Sequence, residues 1–108
     1  HGSNTLSGDL KNVVSDLTRC VITGLNQMID YTAGATWGNA IITINPAVGY
    51  GYSSTEIDNM LIDMAASVAL ISKTITLQGS NAARTAASNA AVATLTGVGR
   101  TCTVVTNP

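Results

Sequence analysis

Ser53-Ser54-Thr55-Glu56 restricts the fold more than any other stretch of the chain: a serine followed three residues later by glutamate, just ahead of an apolar run. Such a capping box supplies partners for N–H groups that the first turn of a helix leaves unpaired, so a helix is expected to begin there. Tyr52 and Ile57 stand where a hydrophobic staple would join them across that start. Downstream, Ile57, Met60, Leu61, Met64, Val68, Ile71 and Ile75 share one face at helical spacing, while Ile62, Ala66, Ala69 and Leu70 make a second. A helix apolar on two sides is central in its domain, or packs on its domain with one side and on a neighbour with the other. It is expected to run to about Gln78, with Gly79 as its C-terminal cap.

The same spacing argument predicts two more helices. Leu6, Leu10, Val13, Val14, Leu17, Val21, Leu25 and Met28 form a stripe that predicts a helix from Ser7 to Asp30. Ser80 caps a third, alanine-rich helix ending at Thr94 or Thr96, before Gly97. Between the first two, Ala40–Ile44 is short and β-branched and ends at Asn45-Pro46; the tail Arg100–Thr106 is β-branched as well. The two are expected to pair. His1-Gly2-Ser3 reads as the end of an affinity tag and is set aside. Residues 4–108 then form one mainly α domain (α+β being the alternative), with three helices and a two-stranded ladder. No repeat is visible on the scale of 20–50 residues.

Two cysteines, Cys20 and Cys102, stand near the ends of the chain. An intrachain disulfide between them would close a loop of roughly 80 residues, worth on the order of 4–5 kcal/mol in the chain-entropy account. It would also place the protein in an oxidising, extracytoplasmic compartment. A signal peptide or membrane anchor upstream of these residues is compatible with that reading. No run of 18 apolar residues spans a membrane within the 108.

Only 10% of residues are charged, and the five cations, Lys11, Arg19, Lys73, Arg84 and Arg100, are dispersed. Nucleic-acid binding requires cations gathered on one face, so that partner is excluded. A surface of neutral hydroxyl and amide groups repels copies of itself weakly, which favours assembly. The single histidine lies in the tag-like leader, which removes the usual general base and any histidine-based zinc site. Glu56, Asp58 and Asp63 suit a helix N-terminus better than a calcium loop. Gly49-Tyr50-Gly51 reads as a turn, not a phosphate cradle. No enzyme, metal or cofactor is expected.

The expectation is therefore a non-enzymatic extracytoplasmic structural or assembly subunit, of a pilus, fibre or other surface structure. Its partner would be itself or another protein. Trp37, Tyr50 and Tyr52 would supply adhesive aromatic area, and Ile62, Ala66 and Leu70 the second face of the central helix. Two alternatives stand beside it. One is a small secreted module binding an apolar ligand among Met28, Met60 and Met64. The other is a secreted effector or inhibitor that grips another protein through the loop around Trp37 and Tyr50.

Overall fold

The structure, a computed structural model, describes residues 19–23 and 31–108. In chain order its elements are β1 (Arg19–Thr23), β2 (Ile41–Asn45), α1 (Ser54–Ala66), β3 (Thr74–Leu77), a 3₁₀ turn (Ala86–Ser88), α2 (Asn89–Thr96) and β4 (Thr103–Thr106). The strands are short and rich in Ile, Val and Thr, residues that fit a pleated, half-buried surface. They lie side by side in chain order, every neighbouring pair parallel. Parallel neighbours cannot be joined by a tight hairpin, so each connection must leave the sheet and return. α1 and α2 are the helices of the last two of these crossovers.

Alternation along the strands divides the sheet into two faces. Cys20, Ile42, Ile44, Ile75 and Leu77 point inward and are buried. They join Ile57, Met60, Leu61 and Met64 of α1, Ala91 and Leu95 of α2, and the loop residues Tyr31, Trp37 and Leu70 in one core. Each fully buried aliphatic side chain of this kind contributes about 1.5–3 kcal/mol. Both helices sit over this face, and they pack on one another.

Asparagine side chains stitch successive strand–crossover units together at the carboxyl ends of the strands. Asn45 Oδ1 accepts from Gln78 N at 2.9 Å, and Asn81 donates to Ile44 O at 2.7 Å while accepting from Tyr52 N at 2.9 Å. Asn107 Nδ2 donates to Gly79 O and Asn81 O. In the same region a Cβ on Gly51 would lie 2.0 Å from Ser80 O, an approach that only glycine permits.

The mainly α, three-helix expectation is thus corrected to an α+β, α/β-like fold, a four-stranded parallel sheet with two helices. The capping box is formed as expected: Glu56 N donates to Ser53 Oγ at 3.2 Å and Ser53 N to Glu56 Oε1 at 2.9 Å. The helix it opens, however, stops at Ala66 instead of Gln78. Arg100 caps the end that results. Its guanidinium donates to the carbonyls of Met64, Ala65, Ser67 and Leu70 at 2.7–2.9 Å, meeting the orphan acceptors and negative dipole end of α1 with a cation. The chain then turns through Ser72, at φ 56°, into β3.

The helix expected from Ser80 begins only at Asn89, because Ser80 and Asn81 hydrogen-bond to the β2 end of the sheet instead of capping. Of the helix expected over Ser7–Asp30, Arg19–Thr23 is strand β1, and the remainder lies outside the described residues. The expected ladder between Ala40–Ile44 and Arg100–Thr106 does not form, since β3 lies between β2 and β4.

The disulfide is also corrected. Cys20 lies on one edge strand and Cys102 leads into the opposite one, and both are free thiols. Three strand spacings of about 4.8 Å separate those edges, whereas a disulfide needs Cα atoms within about 7 Å.

Candidate interaction surface

The outer face of the sheet carries Val21, Ile41, Thr43, Asn45, Thr74, Thr76, Thr103 and Val105. Register places Val21 opposite Thr43, Thr43 opposite Thr76, and Thr76 opposite Val105, so one row crosses all four strands. Val21 and Ile41 are 45% and 44% exposed, and Thr43, Thr76 and Val105 are half-buried by their neighbours along the sheet. None of these eight side chains is charged. All-parallel sheets occur almost only with both faces covered, because their strands are apolar on both sides. Here helices cover one face, and the other remains a flat array of methyl and hydroxyl groups among the described residues.

The residues singled out from sequence for adhesion divide between interior and surface. Trp37, Tyr52 and Leu70 are in the core, at 1%, 5% and 0% exposure. Trp37 stacks on Tyr31 with ring centroids 6.0 Å apart, and its Nε1 donates to Tyr31 Oη at 3.0 Å. Tyr31 Oη in turn donates to Asp63 Oδ2 at 2.8 Å, which also accepts from Gly34 N and Ala35 N. Trp37 N donates to Ser67 Oγ, whose hydroxyl donates to Asp63 O. This network moors the crossover before β2 onto α1, so the tryptophan holds the fold and offers no adhesive area. Tyr50 is exposed in the loop after β2, and Ile62 and Ala66 are exposed on α1. The structure does not bring these three together with the outer sheet face.

The outer face is hidden in the sequence because Ile75 continues the helical stripe of Ile57, whereas Thr74–Leu77 forms strand β3. The signal was nevertheless present: Thr74-Ile75-Thr76-Leu77 alternates with period two, as Ile41-Ile42-Thr43-Ile44 does.

The chemically capable side chains are engaged in structure. Asp58 is buried and accepts from Thr85 N and Ser88 Oγ through Oδ1, and from Thr85 Oγ1 through Oδ2. Burial alone would raise its pKa, but these hydrogen bonds and the charge of Arg84 together hold it below the ordinary carboxylate value. Burial pushes the Cys20 thiol up to about 11, so it is protonated at neutral pH and a poor nucleophile. Met60 and Met64 are fully enclosed in the core; Met28 lies outside the described residues. Among the described residues no group of three or more His, Cys, Asp or Glu could hold a metal ion, and no helix is long and apolar enough to cross a membrane.

The described residues define a small parallel β/α module with one sheet face left open among them. The chain matches no protein-family model, no curated protein and no solved structure.

Proposed function

We propose that the protein is a non-enzymatic assembly module that associates with copies of itself through the outer face of its parallel sheet. One observation carries the reading: the eight residues named on this face are uncharged and, among the described residues, nothing covers them, in a sheet class that is otherwise buried on both sides. A partner surface with an ordinary share of charges would have to desolvate them against this face, whereas the row Val21, Thr43, Thr76 and Val105 of a second copy brings none, Arg19 standing outside that row in register with Ile41. Two such faces, rich in Thr, Val and Ile, can pack sheet on sheet with their side chains interdigitated. The extracytoplasmic expectation leaned on the disulfide and loses that support with the two thiols on opposite edges.

Molecular mass in solution, followed across a wide concentration range by light scattering, tests the proposal. The native chain should gain mass as concentration rises. Thr76→Lys, at the centre of the row, should remain monomeric with an unchanged melting temperature, because its side chain leaves the sheet on the solvent side. A native chain that keeps its monomer mass up to the solubility limit would overturn the reading, as would a Thr76→Lys variant that assembles like the native one.

A further inference from the structure

Because every neighbouring pair of strands is parallel, the carboxyl ends of all four lie on one side of the sheet. At the carboxyl end of β4 this protein has an open cleft of about 460 Å³. Its walls are Arg84 and Thr85 of the loop after β3, Ala86 of the 3₁₀ turn, Asn89 at the start of α2, Thr106 at the end of β4, and Asn107 and Pro108 beyond it. We propose that this cleft is a carboxylate-binding site, with Arg84 as its cation and Asn89 as its second donor. It is separate from the outer sheet face and independent of the assembly reading.

Arg84 is held in place but is not neutralised. Its Nη1 donates to Asn89 Oδ1 at 2.6 Å and more weakly to Thr85 O and Ser88 Oγ at 3.3 and 3.4 Å. Asp58 is close enough to feel its charge, yet both carboxylate oxygens of Asp58 are taken by Thr85 and Ser88. No carboxylate among the described residues is ion-paired with Arg84, and its Nε and second Nη are left for a ligand. A guanidinium presents such donors as a planar fork, the geometry a carboxylate accepts.

The amides beside it are oriented in the same way. Asn89 accepts from Arg84 through its oxygen, which leaves its Nδ2 as a donor. Asn107 donates its Nδ2 to Gly79 O and Asn81 O, which leaves its oxygen as an acceptor. Two donor groups and one acceptor fit a carboxylate with an N–H or hydroxyl donor on a neighbouring atom, as at the free C-terminus of a peptide or in a hydroxy acid. The cleft has no aromatic wall on which a sugar ring or base could stack.

The test is a titration of the ¹⁵N-labelled chain with N-acetylglycine, with N-acetylglycinamide as the uncharged control and inorganic phosphate as the competing anion. Saturable amide shifts confined to residues 84–89 and 106–107 are expected with N-acetylglycine alone. Arg84→Gln should weaken that binding about tenfold, the loss of one charge-assisted contact, and Asn89→Ala should weaken it less. Absence of saturable shifts, equal binding by Arg84→Gln, or equal response to the uncharged amide would overturn the proposal. Phosphate binding as tightly as N-acetylglycine would overturn its carboxylate specificity.

Discussion

Arg100 shows how much of the fold can depend on one side chain far away in sequence. Its four hydrogen bonds close the end of α1 from the loop that leads into β4, and they tie the two crossovers together. Arg100→Ala leaves half-buried carbonyls without a charged donor and should cost about 2–3 kcal/mol in denaturant unfolding. Arg100→Lys should recover only part of this, since one ammonium cannot span four carbonyls. Asp58 has the complementary role at the start of α2. It holds its proton less tightly in the folded chain than in the unfolded one, so in acid the unfolded chain binds more protons. The stability it contributes is complete above the ordinary carboxylate range, about pH 4, and drains away as pH falls through that range toward the lowered folded value. Asp58→Asn should lower stability at neutral pH and flatten this part of the acid slope, as read by melting temperature against pH.

At the scale of elements, what was legible in the sequence was what neighbours in the chain decide. The start of α1 is one example: Ser53, Glu56, Tyr52 and Ile57 carry the whole signal within six positions, and the helix begins there. Its end was not legible. Val68, Ile71 and Ile75 continue the helical spacing beyond Met64 by coincidence, while the side chain that caps the helix end comes from Arg100, far along the chain. β1 was hidden in the same way, because Val21 falls on a helical stripe that begins at Leu6, and five residues of alternation are too few to outweigh it. The parallel pairing was illegible for a different reason. Register joins Arg19 to Ile41, Ile42 to Ile75 and Thr74 to Thr103, at unequal intervals, so the stacked units leave no fixed period for a repeat search to find. The candidate surface depended on that pairing, and Thr43, Thr76 and Val105 become one row only after it is known.

For the molecule as a whole, the outer face is large enough to associate but too small to lock. Four strands spaced by about 4.8 Å, each four or five residues long at about 3.3 Å per residue, make a patch of only a few hundred Å², against roughly 800 Å² per partner in a stable specific interface. Assembly through it alone should be weak and strongly concentration-dependent. The cysteines bear on the same experiment. Cys20 and Cys102 are buried on the inner side, at 3% and 5% exposure, and face away from the outer sheet face. Neither can bridge to the other across the sheet, nor to a second copy docked on that face. Reductant should therefore change neither the melting temperature nor the mass at any concentration. A thiol reagent should label the native chain slowly and the denatured chain at once, because the Cys20 thiolate is both desolvated and scarce at neutral pH. Rapid labelling of both thiols in the native chain would mean that the inner face opens, and a mass that falls on reduction would mean that the copies are joined through sulfur instead of through the sheet.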